Sequence, residues 1–288
     1  MEQYDIALIG GDARIAYMGP YLLEKGYRVI GYGISPVEDT YDLIPHAKSM
    51  EEAVEGVPIV IGGIPFLKEG KINATQSLPD LDAERLYRNK KSQILFGGML
   101  PKAFVERCEE KDIQCMDFME DEALTVFNAI ATAEGAILEA LTHQKTNIHG
   151  SDSLVLGYGR CGKVLADKLR GMGAKVTVCC RSEIQLANAD ASGMETLFIH
   201  DLEEKIHKFE YIYNTIPAVV LGKNLLKQMR SDVLVIDLAS KPGGVDYAFA
   251  EELGIRAMLC PGLPGKYAPK ISGKRLADFV IRNMNIRS

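Results

Sequence analysis

The sequence predicts an α/β protein with two lobes, each built around a parallel sheet, with a cleft between them. Short apolar segments alternate with helix-like stretches through most of the 288 residues, which is the pattern of βαβ units. A glycine-rich turn between a strand and a helix occurs twice, at 10–14 and at 157–162. Between the two turns, residues 121–145 have the periodicity of one long helix, which predicts a hinge over 121–148 between the lobes.

The composition is that of a soluble globular protein. Hydrophobic residues make up 47% and charged residues 25% of the chain. The net charge of −6 argues against a nucleic-acid-binding surface, and no apolar run reaches the ~20 residues that span a bilayer. The N-terminus runs into a strand without a basic leader, so we expect a cytoplasmic protein.

The cysteines and histidines predict neither a disulfide nor a metal site. The six cysteines include no CxxC pair, and the five histidines have no HExxH-type spacing. We therefore expect reduced, mostly buried thiols and no bound metal.

The first lobe is predicted to begin with a strand, a turn and a helix. Its predicted strands are Tyr4–Ile9, Tyr27–Tyr32, Val57–Gly62, Gln93–Phe96 and Ile113–Asp117. The turn Gly10-Gly11-Asp12-Ala13-Arg14 lies where a phosphate-binding loop would lie, but its spacing differs from GxGxxG. Asp12 and Arg14 are candidate residues for binding a substrate anion. The alternative is a sharp turn with a solvated ion pair.

The second lobe begins with a strand that runs into a glycine fingerprint. Its predicted strands are Ser153–Gly157, Lys175–Cys180, Thr196–Phe198, Tyr211–Asn214, Val233–Asp237 and Arg256–Leu259. The first strand leads into Gly157-Tyr158-Gly159-Arg160-Cys161-Gly162 and a helix, the dinucleotide-binding turn of Rossmann folds. Gly157 permits the tight turn, Gly159 lets backbone approach a pyrophosphate, and Gly162 lets helix and strand pack. Because the helix N-terminus attracts phosphates, this turn is predicted to bind a dinucleotide; the alternative is a turn without a ligand.

The end of the second strand favours NADP(H) over NAD(H). NAD-binding Rossmann units usually place Asp or Glu there, ~20 residues after the glycines. This chain has Cys179-Cys180-Arg181-Ser182 instead. The Arg181 guanidinium suits an adenine and a 2′-phosphate, and Ser182 offers a hydroxyl. The alternative is an exposed arginine that contacts nothing.

Three further loops follow predicted strands at the carboxyl edge of the same sheet, where open α/β sheets bind ligands. They begin at Asn214, Asp237 and Cys260 and are rich in proline and glycine. The amide of Asn214 and the hydroxyl of Thr215 in the first loop are suited to hydrogen-bond the ribose and nicotinamide of a cofactor. The candidate cofactor residues in these loops are Asn214, Thr215, Ile216, Pro217, Asp237 and Ala239. The alternative is that the loops are only turns.

The hinge segment carries a charged residue, Glu134, among small residues, where it either faces solvent or lines the cleft. A last helix is predicted from about 268 to 285, and in bilobal dehydrogenases such a helix returns to the first lobe. The predicted domains are therefore a flavodoxin- or Rossmann-like lobe of 1–120 with 268–288, a hinge of 121–148, and an NADP-binding domain of 149–267.

The second lobe resembles the cofactor domain of D-2-hydroxyacid dehydrogenases. In that family an arginine follows the strand that ends here at Asp237, and a histidine after the last strand donates a proton. This chain has Ser240-Lys241 at the first position and no histidine after His207. The resemblance therefore implies the fold and the cofactor, whereas the missing acid–base pair argues against a 2-hydroxyacid substrate.

A second resemblance rests on a set of motifs spread over nearly the whole chain: Gly10-Gly11-Asp12-Ala13-Arg14, Glu134-Gly135, Ile148-His149-Gly150-Ser151, Gly157–Gly162, Asn214-Thr215-Ile216-Pro217, Asp237–Gly244 and Pro261–Gly265. With these motifs the chain resembles the family of dipicolinate synthase A-subunits. Lys241 departs from the arginine expected in the family; it keeps the positive charge but loses bidentate pairing with a carboxylate.

This resemblance implies an enzyme of sporulation that works with a flavoprotein-like B-subunit in the mother-cell cytoplasm. Together the two proteins make pyridine-2,6-dicarboxylate from dihydrodipicolinate or its hydroxy-tetrahydro precursor, with NADP+ as hydride acceptor. A homo-oligomer is also expected. Two substrate carboxylates need anchors, and the candidates are Arg14, Lys241 and the amides of Gly262 and Gly265. Glu134 and Lys241 are the candidate catalytic residues, and His149 is a weaker candidate base that instead braces the hinge.

Three other functions stay open, and the first is another NAD(P)-dependent dehydrogenase of the 2-hydroxyacid dehydrogenase-like type. The chain is alternatively a nucleotide-binding partner protein without substrate chemistry of its own, which the missing acid–base pair favours. It also resembles adenosylhomocysteine hydrolase-like proteins, although Arg181 in place of an acidic residue argues against them.

Overall fold

The computed structural model describes residues 4–76, 78–88 and 93–284. The chain divides into two compact units: unit 1 is Met1–Thr125 with Ala268–Ser288, and unit 2 is Val126–Tyr267. Of the predicted first domain, residues 1–3, 77, 89–92 and 285–288 lie outside the described residues.

Strands and helices alternate along the described chain. The strands are β1 (Ile6–Ile9), β2 (Val29–Tyr32), β3 (Ile59–Ile61), β4 (Leu67–Lys68), β5 (Lys71–Ile72), β6 (Gln93–Gly97), β7 (Ile113–Asp117), β8 (Asp152–Leu156), β9 (Lys175–Cys180), β10 (Glu195–Phe198), β11 (Tyr211–Asn214), β12 (Leu234–Asp237) and β13 (Arg256–Leu259). The α-helices are α1 (Ala13–Glu24), α2 (Met50–Val54), α3 (Lys102–Glu109), α4 (Glu122–His143), α5 (Arg160–Gly171), α6 (Glu183–Ala191), α7 (Leu202–Lys205), α8 (Lys223–Leu226), α9 (Tyr247–Glu252), α10 (Leu263–Tyr267) and α11 (Pro269–Asn283).

Unit 1 is built on a five-stranded parallel sheet in the order β2-β1-β3-β6-β7. β1 is apolar and buried at every position, because helices cover both faces of a parallel sheet. The order is that of flavodoxin-like folds, whose direction of winding reverses between β1 and β3.

One hairpin in unit 1 was not predicted. β4 and β5 pair antiparallel across Glu69 and Gly70, which both have positive φ (53° and 79°). Two positive φ values in a two-residue loop define a tight hairpin turn. The sequence Glu-Gly lacks the Asn or Asp that usually indicates such a turn, so periodicity alone did not find it.

The C-terminal helix α11 packs on α1 inside unit 1. A Cβ on Gly273 would overlap the backbone carbonyl oxygen of Arg14, so the two helices approach closely at this glycine. Further along α11, Phe279 contacts the rings of Phe96 and Phe118 at centroid distances of 6.1 and 5.7 Å. The end of the chain therefore completes the core of the unit that begins it.

The helix α4 differs from the expectation that no apolar segment is long enough to span a membrane. By length and composition its 22 residues are long and apolar enough to cross a membrane, contrary to the sequence-based expectation. Of the apolar 18-residue window of this helix, 56% is buried inside the protein. The core helix of a globular protein has the same property, so α4 is only weak evidence for a membrane span. Ala133, Ala136 and Ala140 of α4 pack in a core of unit 2.

Unit 2 is built on a six-stranded parallel sheet in the order β10-β9-β8-β11-β12-β13. This is the strand order of a dinucleotide-binding Rossmann domain, with the reversal between β8 and β11. The predicted α/β class with Rossmann-like parallel sheets is thereby confirmed. All six strands end at one edge, called here the carboxyl edge of unit 2, and ligands of such sheets bind at the strand ends that flank the reversal.

Candidate functional site

The three glycines of the fingerprint have three different environments. Gly157 has φ +88° and donates its N–H to Cys179 O at 2.8 Å, and a Cβ there would lie 2.6 Å from Thr215 Oγ1. A Cβ on Gly162 would overlap the carbonyl oxygen of Gly157, so this glycine is what lets α5 pack against the turn. Around a Cβ on Gly159, by contrast, no atom lies within 4 Å. Two glycines are thus required by packing, and the middle one leaves open space.

The start of α5 is suited to an anion. Gly159 is its N-cap residue and supplies no capping side chain, and the first turn carries no acidic residue. Unsatisfied N–H groups and the positive end of the helix dipole therefore face the space beside Gly159. The structure leaves an opening at the position where the sequence predicts a pyrophosphate.

Tyr158, Arg160 and Cys161 take part in this turn mainly through their backbone. Tyr158 is buried, with Lys163 Nζ 5.7 Å from its ring centroid. Burial raises the pKa of the Cys161 thiol to about 11, although a helix N-terminus usually lowers that of a cysteine. Arg160 is the exposed first residue of α5. The backbone of these residues, more than their side chains, forms the turn.

Arg181 and Ser182 lie directly after β9, next to the glycine turn in the sheet. Arg181 is exposed, and its side chain has no hydrogen bond or ion pair within the described ranges. Ser182 caps α6, because its Oγ accepts the N–H of Gln185 at 3.4 Å. Sequence reasoning did not weigh the neighbouring Glu183, an exposed carboxylate in the first turn of α6.

The candidate residues Asn214 and Asp237 face each other instead of open space. Both are fully buried, and Asn214 Nδ2 donates to Asp237 Oδ1 at 2.9 Å. The Asp237 carboxylate also accepts the N–H groups of Ala239 (3.0 Å) and Gly244 (2.6 Å) and the Tyr247 hydroxyl (2.6 Å). The sequence predicted that both side chains contact a cofactor directly. In the structure they instead bind groups of the protein's own loops.

The loop after β11 connects this network to the glycine turn. Thr215 Oγ1 donates to Leu156 O at 2.8 Å and lies against Gly157. The Ile216 N–H donates to Asn214 Oδ1 at 3.1 Å, and Pro217 is exposed at the carboxyl edge.

Lys241 lies at the exposed tip of the loop after β12. In the described part of the chain no carboxylate pairs with its ammonium group. A lysine that is exposed and unpaired at the carboxyl edge is available to a ligand carboxylate.

Two candidate bases are placed away from this edge. Glu134 pairs with Lys168 of α5 at 2.9 Å, and its side chain is 57% exposed. Lys168 follows Gly159 by nine residues, about 13 Å along the helix. His149 packs against Gly173, in the turn between α5 and β9 at the opposite edge of the sheet. Within unit 2, Glu134 is therefore paired with a helix side chain and His149 packs against a turn, and neither lies beside the glycine fingerprint.

Two of the predicted substrate anchors, Arg14 and Gly265, have partners inside the protein, whereas Gly262 is exposed before α10. Arg14 is buried and donates Nε and Nη2 to the Asp12 carboxylate and Nη2 to Ile64 O (2.9 Å). Asp12 also caps α1 by accepting the Arg14 N–H at 3.0 Å. The pair is thus buried on the Arg14 side, whereas the Asp12 carboxylate is 31% exposed, so the solvated ion pair given as the alternative is found in part. The Gly265 N–H donates to Gly262 O at 3.0 Å inside α10, so it is not available to a substrate.

Sequence reasoning missed a polar cluster on α4. The Glu139 carboxylate is 5% exposed and accepts hydrogen bonds from Lys266 Nζ (2.6 Å) and Tyr267 Oη (2.7 Å). Burial alone would raise the pKa of Glu139, but these two hydrogen bonds, together with the charges of Lys266 and His143, lower the pKa below its ordinary value. A glutamate among alanines and leucines in the second half of α4 was the available signal.

Comparison with known proteins identifies the family. A model of the N-terminal domain of the dipicolinate synthase A-subunit matches residues 5–119. The dipicolinate synthase A-subunit of Bacillus subtilis (strain 168) is 32% identical over 96% of this chain and 94% of that protein. The chain belongs to the family of dipicolinate synthase A-subunits. The crystal structure of the dipicolinate synthase A-subunit from Bacillus halodurans, which is 31% identical, matches 98% of both chains with a TM-score of 0.88.

The second unit of this family member has the features of an NAD-binding domain. A model of the NAD-binding domain of S-adenosyl-L-homocysteine hydrolase matches residues 131–257, which include the glycine turn and Arg181. A transhydrogenase from Sinorhizobium meliloti (TM-score 0.70) and an L-alanine dehydrogenase (TM-score 0.64) share the fold at 14% and 16% identity. The open Gly159 fits this match, so the cofactor of unit 2 is a nicotinamide dinucleotide.

Proposed function

We propose that this chain carries out the NADP-linked oxidation of dihydrodipicolinate, or of its hydroxy-tetrahydro precursor, to pyridine-2,6-dicarboxylate during sporulation. It acts in the mother-cell cytoplasm with a flavoprotein-like B-subunit. The observation that carries the proposal is the open space over Gly159, with the exposed Lys241 two strands away at the same edge. The name of the related proteins supplies the product.

The residues of the carboxyl edge fit the cofactor. The start of α5 and the opening at Gly159 suit its pyrophosphate. Thr215 and Pro217 line the continuation of the edge after β11. When bound, the nicotinamide ring supplies a hydride acceptor.

Arg181 supports NADP over NAD as that cofactor. Its guanidinium is exposed directly after β9, where NAD-binding domains place an acidic residue. A planar guanidinium pairs well with a phosphate and stacks on an adenine ring. Glu183, two residues later, is the first residue of α6, whereas Arg181 directly follows β9.

Lys241 is the proposed anchor for a substrate carboxylate. The oxidation of a dihydropyridine dicarboxylate to the pyridine removes one hydride and one proton, and both carboxylates remain charged throughout. An ammonium group at the loop tip would fix one carboxylate and orient the ring, which is catalysis by positioning. Asp237 is enclosed by four donors, so it does not act as the base.

A second function is favoured by the placement of the two candidate bases. Glu134 faces Lys168, and His149 lies at the opposite edge of the sheet from the glycine turn. Neither serves a substrate at the carboxyl edge. A nucleotide-binding protein whose NADP+ accepts the hydride that a flavin on the B-subunit has taken from the substrate needs no such base, and this is the alternative proposal.

The experiment that separates the two proposals is a turnover assay of the purified chain with and without the B-subunit. Pyridine dicarboxylate formation is followed by its ultraviolet absorbance, with NADP+ supplied and oxygen excluded. We expect product and NADPH in equal amounts from the chain alone. Product only when the flavin-loaded B-subunit is present would favour the alternative. No product in either assay would contradict the proposed reaction.

The anchor assignment is tested in the same assay by Lys241→Ala. Loss of a charge-assisted contact with a carboxylate should raise the substrate KM about tenfold or more, while the dissociation constant for NADPH is unchanged. Lys175→Ala is the matched control, because it removes an exposed lysine from the opposite end of the same sheet. Wild-type KM in Lys241→Ala would exclude Lys241 as an anchor.

A further inference from the structure

The buried carboxylate of Asp237 is the centre of a network that joins two loops of unit 2. Its donors belong to β11, to the loop after β12 and to α9: Asn214, the N–H groups of Ala239 and Gly244, and Tyr247. All four are neutral, and the carboxylate is fully buried. A buried carboxylate is stabilised only where several donors converge on it, so each donor is held in place in turn.

Two glycines show how tightly the loop closes over this carboxylate. A Cβ on Gly243, which has φ +95°, would lie 2.7 Å from Asp237 Oδ2 and 2.8 Å from Tyr247 Oη. A Cβ on Gly244 would overlap Asn214 Nδ2 and lie 2.9 Å from Ala218 O. Any larger residue at either position would force the loop away from Asp237.

The loops after β11 and β12 are also joined through their backbones. Gly244 O accepts the N–H groups of Val220 (3.0 Å) and Leu221 (2.9 Å), and the Asp246 N–H donates to Leu221 O at 3.0 Å. Three backbone hydrogen bonds therefore tie the two loops together. Lys241 is the charged residue at the exposed tip of the loop after β12.

We propose that Asp237 and Tyr247 are positioning residues that hold the 238–244 loop, and with it Lys241, at a fixed place on the carboxyl edge. The proposal rests on the function proposed above, in which Lys241 anchors a substrate carboxylate. A lysine has four rotatable side-chain bonds, so fixing the backbone beneath it reduces the entropy lost when the ligand binds. The Tyr247 hydroxyl closes the loop from the α9 side, and neither residue touches the ligand.

The test uses Tyr247→Phe, which removes one hydroxyl and retains the ring. Tyr267→Phe is the matched control, because Tyr267 also donates its hydroxyl to a buried carboxylate in unit 2, that of Glu139 (2.7 Å). Loss of a hydrogen bond to a charged group should accelerate amide hydrogen exchange of the 238–246 segment by about tenfold or more in Tyr247→Phe. The same segment should exchange at the wild-type rate in Tyr267→Phe.

A double-mutant cycle shows whether Tyr247 acts through Lys241. Tyr247→Phe alone should raise the substrate KM several-fold and leave the NADPH dissociation constant unchanged. In a Lys241→Ala background it should have no further effect on KM, whereas a general loss of stability would act equally in both backgrounds. The isosteric Asp237→Asn should show a larger change of the same kind.

The outcomes separate this proposal from the proposed function. If the 238–246 segment exchanges equally fast in Tyr247→Phe and wild type, or if the KM effects of Tyr247→Phe and Lys241→Ala are independent, the positioning role is overturned. If the wild-type chain forms no pyridine dicarboxylate, the proposed function fails; the exchange rates then still decide whether Asp237 and Tyr247 hold the loop.

Discussion

At the residue scale, the three glycines of the GxGxxG motif have different surroundings, so a side chain is excluded at each position for a different reason or not at all. Gly157 and Gly162 are required by packing, since a side chain at either would meet Thr215 or the Gly157 carbonyl. Gly159 is free of such neighbours, so packing does not require a glycine there and the position is open to a ligand that approaches from outside. This distinction supports a bound nucleotide better than the GxGxxG spacing does, because the spacing alone also fits a turn without a ligand.

The cofactor preference is a prediction at the same scale. We expect wild-type protein to bind NADPH at least about tenfold more tightly than NADH, the effect of one charge-assisted phosphate contact. Arg181→Glu should bring the two affinities close together, because a carboxylate repels the 2′-phosphate and accepts ribose hydroxyls. The measurement is a fluorescence titration with each nucleotide. Lys175→Glu makes a similar charge change at the start of the same strand and should leave the preference intact. Equal affinities in wild type would contradict the assignment.

At the element scale, α4 shows where sequence reasoning succeeded and failed. Periodicity predicted the helix, but it singled out Glu134 and overlooked Glu139. The two residues are five positions apart, which places them about 140° apart around a helix of 3.6 residues per turn. Which of these two glutamates faces the protein interior is decided by where α10 packs against α4. Leu263 and Tyr267 of α10 would lie only 2.9 and 3.0 Å from a Cβ on Gly135, a contact that no local pattern indicates.

The contact of α4 with α10 gives a pH-dependent stability. The pKa of Glu139 is lower than the ordinary 4.5 of a glutamate, so its stabilising effect is fully present above pH 4.5 and is lost as the pH falls through the lowered value. Glu139→Gln should reduce the free energy of unfolding at pH 7 by about 1–3 kcal/mol, the value of hydrogen bonds to a charged group. It should also flatten the decline below pH 4.5. Urea unfolding of both proteins from pH 3 to 7 measures this, and parallel pH profiles would argue against the stabilising role of Glu139.

At the scale of the whole molecule, each unit has a glycine-rich βα turn after its first strand, but only one turn is open. In unit 1 the Asp12 carboxylate caps α1, and a Cβ on Gly11 would meet Ile15 and Gly63. In unit 2 the N-cap residue is Gly159, without a capping side chain. The same local topology therefore gives an internally satisfied turn in one unit and an available anion site in the other.

The fold was largely predictable from the sequence, and the site was predictable in part. Alternating apolar segments placed the strands of both parallel sheets within a few residues, since buried parallel strands are continuous apolar runs. Because Arg181 and Lys241 follow predicted strands, the sequence also placed both residues at the carboxyl edge. The occupied partners of Arg14, Asn214 and Asp237 were not predictable, because a polar residue at a strand end looks the same whether it faces a ligand or another loop. Only the tertiary hydrogen bonds distinguish the two cases.

The central claim is that the opening at Gly159 binds the dinucleotide, and a pair of glycine substitutions tests it most directly. Gly159→Ala and Gly171→Ala each add one methyl group at an end of α5 where no atom lies within 4 Å, so both proteins should be as stable as wild type. Only the first methyl group lies where the pyrophosphate approaches. We expect NADPH titration to show about a tenfold or greater loss of affinity in Gly159→Ala and wild-type affinity in Gly171→Ala. Equal affinity of all three proteins would contradict the site.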